Sequence, residues 1–160
     1  MYGNQTLPGI TSSETYKVTK GSVWLGYPEA TWFKAVKVNG TDGAALPVGT
    51  LMKEVAADGS YTPITVSDIS TVAAGLPGVR LAIVADKSAK TGTTETTGEE
   101  PDVETVSKPS TVLVGISGIV DKAKLFVGET AFMELTDEQK IGLNTQLEAW
   151  NFQLVNVTQA

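Results

Sequence analysis

"VRLAIVA" (residues 79–85) is apolar at every position but Arg80. A half-buried strand alternates apolar and polar residues. An unbroken apolar run of this length, bounded by the turn sequence "GLPG" (residues 75–78) and by Asp86, reads as a strand buried on both faces. The fold is therefore expected to have this segment as a central strand, with the other elements arranged around it.

Upstream, "LPVGTLMKEVAADGSYTPIT" (residues 46–65) reads as a short strand, a tight turn and the start of another strand. Asp58-Gly59 suits a two-residue type I′ turn, which needs φ > 0 at both central positions. "ISTVAAGLPG" (residues 69–78) is ambiguous between helix and loop. Further upstream, "VWLGYPEATWFKAVKV" (residues 23–38) holds two of the three tryptophans. Its end, with Trp32, Lys34, Val36 and Val38 against Phe33, Ala35 and Lys37, reads as an edge strand with mixed faces. Its aromatics are expected to pack in the core. "NGTDG" (residues 39–43) is a loop by composition.

Downstream, "DKSAKTGTTETTGEEPDVETVSKPS" (residues 86–110) is rich in Thr, Gly and Glu and almost free of apolar side chains. It is expected to be an exposed acidic loop, residues 89–110 above all. Glu95, Glu99, Glu100, Asp102 and Glu104 lack the spacing of a calcium loop and read as a solvated face. "TVLVGISGIVDKAKLFVG" (residues 111–128) resumes the sheet, with Val112, Val114 and Ile116 on one face. Gly115 and Gly118 inside it point to a bulge or a close backbone approach. In "LTDEQKIGLNTQLEAW" (residues 135–150), Thr136 and Gln139 have capping-box spacing, and Asp137 and Glu138 favour the positive end of a helix dipole. Leu143 and Leu147 give this helix its apolar stripe. "WNFQLVNV" (residues 150–157) then alternates as a last strand, with Trp150, Phe152 and Leu154 on one face. The expected fold is mostly β, of the α+β kind: a small mixed-sheet or barrel-like domain over residues 23–160 with one short C-terminal helix. No internal repeat and no second domain is evident.

Composition narrows the function. The 160 residues contain no Cys and no His, which removes disulfides, thiolate nucleophiles, the usual zinc sites and imidazole acid–base chemistry together. The net charge is −6 and Arg80 is the only arginine, a poor basis for phosphate contacts, so no nucleic-acid partner is expected. No apolar run is long enough to span a bilayer, and the N-terminus has no secretory-signal pattern, so the chain is expected to be made in the cytoplasm with no membrane partner. Ser117 and Lys122 are near one another only in sequence, and Glu99 and Glu100 have no fixed separation. No catalytic, cofactor-binding or metal-binding residues are expected, and the protein is not expected to be an enzyme.

Three of these segments carry a resemblance. "LPVGTLMKEVAADGSYTPIT", "GVRLAIVADKSA" with "VLVGISGIVDKAKL" after it, and "LTDEQKIGLNTQLEAWNFQLVNV" together resemble the head decoration, or capsid cement, proteins of lambda-like tailed phages. The likeness covers roughly residues 44–157. The section with Trp24 and Trp32 is longer, and the insertion at residues 89–110 bulkier, than in the smallest members. The resemblance implies a structural virion protein on the outer surface of the expanded capsid. There it would sit as a homotrimer and clamp neighbouring major capsid subunits. Residues 1–22 read by composition as a frayed terminus. The resemblance makes them instead a flexible arm that orders on the capsid, with Asn4, Gln5, Leu7, Ile10, Tyr16 and Val18 as its contact residues. The alternative reading is an adhesion or carbohydrate-binding module on a virion or cell surface, with "WLGYPEATW" (residues 24–32) as the only candidate groove.

Overall fold

A computed structural model of the chain describes residues 23–25, 31–73 and 79–156. The arm residues Asn4, Gln5, Leu7, Ile10, Tyr16 and Val18 lie outside the described residues. Eleven strands and two helices follow in the order β1 (Trp24–Leu25), β2 (Trp32–Val38), β3 (Leu51–Glu54), β4 (Tyr61–Pro63), α1 (Ile69–Ala73), β5 (Leu81–Val84), β6 (Thr93–Thr97), β7 (Glu104–Lys108), β8 (Ser110–Asp121), β9 (Phe126–Val127), β10 (Thr130–Ala131), α2 (Asp137–Ala149) and β11 (Phe152–Val155).

The long strand β8 organises the sheet. Its first part pairs antiparallel with β2 on one side, from Val38↔Ser110 to Trp32↔Ser117, and with β5 on the other. Its last part pairs antiparallel with β1 and parallel with β11. Gly118, at φ +146°, divides the two parts. Because β5 also pairs β3, β3 pairs β4, and β4 meets β2, the ring β8–β2–β4–β3–β5–β8 closes into a small barrel. The β2–β4 joint is its weak seam, a single parallel pair at Val38↔Tyr61.

Strand β5 explains why the chain needs two apolar layers. All four residues are fully buried, and they alternate between two clusters. Ala82 and Val84 point into the barrel with Val36, Val38, Met52, Tyr61, Val112 and Val114. Leu81 and Ile83 point outward into a second cluster with Ile69, Val72, Leu143, Leu147 and Phe152, which the two helices cover. Helix α2 forms as its sequence directs. Thr136 accepts a bond from the Gln139 N–H at 3.3 Å, and the Gln139 side chain accepts one from the Thr136 N–H at 3.1 Å. Leu143 and Leu147 are buried. Trp150 caps the helix rather than entering the last strand, and it donates to the Val79 carbonyl at 2.9 Å while Arg80 lies over its ring at 5.2 Å.

Three local expectations are corrected. A second helix, α1, forms over part of the ambiguous segment; Ile69 and Val72 anchor it in the outer cluster, so packing supplies what five residues of propensity cannot. The β3–β4 turn is not type I′. Gly59 has φ +71° but Asp58 does not have positive φ, and the Gly59 N–H bonds to the Val55 carbonyl at 2.9 Å, which makes a four-residue loop. Asp58 instead serves as an anchor, accepting from the Ser60 N–H at 2.9 Å and its hydroxyl at 2.6 Å. Lastly, the acidic insertion is not a structureless loop. Strands β6 and β7 pair over five residues each as a hairpin, with Glu95 in an ion pair with Lys108.

Candidate functional site

The sheet face formed by β2 and β8 carries the largest exposed aromatic side chains. Trp32 is 68% exposed, Phe33 44% and Leu113 42%. Phe33 lies beside Gly115, and Leu113 beside Ala35, in the antiparallel ladder. The ladder slips by one residue between Trp32 and Phe33, opposite Ile116. The extra residue belongs to β8, so it is β8 that bends there, while Trp32 stands at the first position of β2.

Trp24 underlies this face. It crosses Gly115 so closely that a Cβ there would collide with the indole ring. It meets Phe33 edge to face, at 5.4 Å and 76°, and Phe152 at 6.4 Å. The aromatic group therefore has a half-buried base and an exposed rim. Of the aromatics of residues 23–38, expected in the core, Trp24 packs half-buried against it, and Trp32 and Phe33 are exposed. Residues 26–30, between Trp24 and Trp32, lie outside the described residues.

Strand β2 has a free edge as well as this face. Among the described residues, residues 32–37 pair only with β8, and only Val38 reaches β4. Lys34 and Lys37 on this strand are exposed and make no ion pair among the described residues.

The residues weighed for chemistry do not converge. Ser117 lies within β8 and Lys122 just beyond its end, so their backbones stand roughly 15 Å apart at strand spacing. Glu99 and Glu100 are exposed at the hairpin tip, beside a shallow dish lined by Thr97, Gly98, Pro101, Asp102, Val103 and Glu104. Among the described residues, no group of three or more acidic side chains is placed to hold a metal ion. No described helix is long and apolar enough to cross a membrane. No protein-family model and no characterised protein matches the sequence.

Three carboxylates are held below the usual carboxylate range, each by a local hydrogen bond. Asp58 owes this first to the Ser60 hydroxyl, Asp68 to the Thr65 N–H, and Asp86 to the Ser88 N–H. Asp68 also bonds Lys53 at 3.0 Å. Burial inside the barrel pushes the Tyr61 hydroxyl above its ordinary value, helped by the charge of Glu54. The signs follow from linkage. Depressed carboxylates add stability in full above the unfolded value of about 4, and that stability is lost as pH falls through the folded values. The raised Tyr61 makes the fold lose stability as pH rises above about 10. Thermal melts are expected to show a plateau at neutral pH with losses on both limbs. Asp68→Asn is expected to flatten the acid limb and leave the basic one unchanged.

Proposed function

We propose that this protein is a structural virion protein that binds the outside of an expanded phage capsid and holds neighbouring major capsid subunits together, as a homotrimer. One observation carries the reading: Phe33 and Leu113 exposed on one face of the β2–β8 ladder, with Trp32 exposed at the start of β2, on a small closed barrel. A flat apolar face with aromatic anchors suits docking on another protein, where a few such residues supply most of the binding free energy. The resemblance to lambda-like decoration proteins names the protein docked on, the capsid. Many copies on one shell turn modest single contacts into firm attachment.

Co-sedimentation with undecorated phage shells, before and after expansion, tests the reading. Binding to expanded shells alone is expected. Trp32→Ala is expected to weaken it by roughly tenfold or more per site, the effect of a lost anchor residue, with no change in melting temperature because the side chain is exposed. Absence of binding to either shell would overturn the proposal. The same exposed indole favours a second reading, a carbohydrate-binding module, since sugars stack on aromatic faces. A glycan titration followed by tryptophan fluorescence separates the two.

A further inference from the structure

The hairpin of β6 and β7 is unusual in being bare. Every residue from 93 to 109 is exposed, including Val103 and Val106, each at 43%. A two-stranded hairpin with no sheet or helix against it is marginal in water, and a third strand is what stabilises it. Its base is fixed to the barrel by the pair Asp42↔Thr93 and by the Thr94 N–H bonding to the Thr41 carbonyl at 3.4 Å. Among the described residues, β7 pairs only with β6, so its outer edge is open.

The free edge of β2 is a second open edge, and the two differ in charge. Residues 93–108 carry five carboxylates, Glu95, Glu99, Glu100, Asp102 and Glu104, against one lysine. Strand β2 carries Lys34 and Lys37 and no acidic residue. Pairing β2 with β2 across a two-fold axis would set lysine against lysine. Pairing hairpin with hairpin would set glutamate against glutamate. Like charges on adjoining edges repel, a device proteins use to block edge-to-edge association. Only the mixed pairing, β2 against hairpin, is attractive.

Among the described residues, no strand pairing or ion pair joins the hairpin to β2 of the same molecule. The hairpin leaves the barrel at the Val38–Ser110 end of the β2–β8 ladder, whereas Trp32 and Lys34 lie toward the other end, near the Trp32–Ser117 pair. We infer that the β6–β7 hairpin of one copy adds to the free β2 edge of a second copy, Glu99, Glu100 and Glu104 of the first facing Lys34 and Lys37 of the next. The contact is head to tail, so it builds a ring if the rotation closes and an open chain if it does not. It uses the edge of β2 and leaves the outer face with Phe33 and Leu113 free. It does not depend on the capsid reading, because it concerns copies of this chain in solution.

Sedimentation velocity on the full chain tests it, in the absence of shells. Association is expected at low salt and its loss in about 1 M salt, where the Debye length falls to about 3 Å. Two charge-reversal variants are then compared: Lys34→Glu with Lys37→Glu, and Glu99→Lys with Glu100→Lys and Glu104→Lys. Each alone sets like charges at the contact and is expected to weaken association by roughly tenfold or more. Mixed, they place the acidic β2 edge of one against the basic hairpin of the other and are expected to associate again, which also shows that both are folded. A wild-type chain that stays monomeric at low salt overturns the inference, as does a variant pair that associates no better mixed than apart. If that monomeric chain binds shells and the Lys34→Glu, Lys37→Glu variant does not, the edge belongs to the capsid and not to a second copy.

Discussion

Gly115→Ala is expected to lower the stability of the fold by about 3 kcal/mol, the upper part of the range for forcing an extra carbon into a packed site. The three atoms nearest to the added Cβ all belong to the Trp24 indole, within the space the ring itself occupies. Phe33 meets the ring edge to face on one side and Phe152 borders it on another, so the ring can clear the added carbon only by giving up these contacts. Trp24 must therefore leave, and its departure unpacks the exposed face from below. For a chain of this length a loss of about 3 kcal/mol lowers the melting temperature by about 10 °C. Trp24→Ala supplies the control. Alone it costs about 2 kcal/mol, less than a fully buried aromatic because the ring is only partly covered. In its presence Gly115→Ala is expected to become neutral or slightly stabilising, because glycine weakens a strand interior. An unchanged cost of Gly115→Ala in the Trp24→Ala background would show that the indole is not the obstacle.

That contact also marks how far the sequence could be read. Gly115 within an apolar strand announced a close approach, and the structure has one, but nothing in the chain pointed to Trp24, 91 residues earlier, as the group approaching. Strand β5 was legible because four buried positions in a row leave no polar face for solvent. Helix α2 was legible because its signals are local: Thr136 with Gln139 at the start and Leu143 with Leu147 on one face. Helix α1 was not, since its five residues take their stability from the outer cluster. The hairpin was not, because both its faces are in water and so show no apolar alternation; the β-branched threonines of "TTETT" were the only local hint.

The β3–β4 turn failed for a finer reason. Asp-Gly fits both a two-residue type I′ turn and the last half of a four-residue loop. The choice was made by the Val55–Ser60 closure, where the Val55 N–H bonds to the Ser60 carbonyl at 2.7 Å. The candidate site was the least legible part. Aromatic residues belong to cores far more often than to surfaces, and Trp32 and Phe33 stand on a strand whose outer edge is unpaired among the described residues, which no local pattern announces.

Ile83→Ala and Val84→Ala test whether the two clusters are separate. The residues are adjacent in sequence and both fully buried, yet Ile83 belongs to the outer cluster and Val84 to the barrel. Ile83→Ala is expected to cost about 4 kcal/mol and Val84→Ala about 2 kcal/mol, from lost transfer energy and the cavity left behind. Because the side chains share no partners across the strand, the double variant is expected to lose the sum to within about 0.5 kcal/mol. A loss near 6 kcal/mol is comparable with the whole stability of a small domain, so the double variant is expected to be substantially unfolded at room temperature. Leu81 and Ile83 give the contrast, since both line the outer cluster. The pair Leu81→Ala with Ile83→Ala opens one shared cavity, into which α1 and α2 can settle, so its cost is expected to fall short of the sum. Denaturant melts of the five variants decide the matter. Strong coupling between positions 83 and 84 would mean that the barrel interior and the layer beneath the helices form one continuous core, and none between 81 and 83 that the outer layer does not settle into a shared cavity.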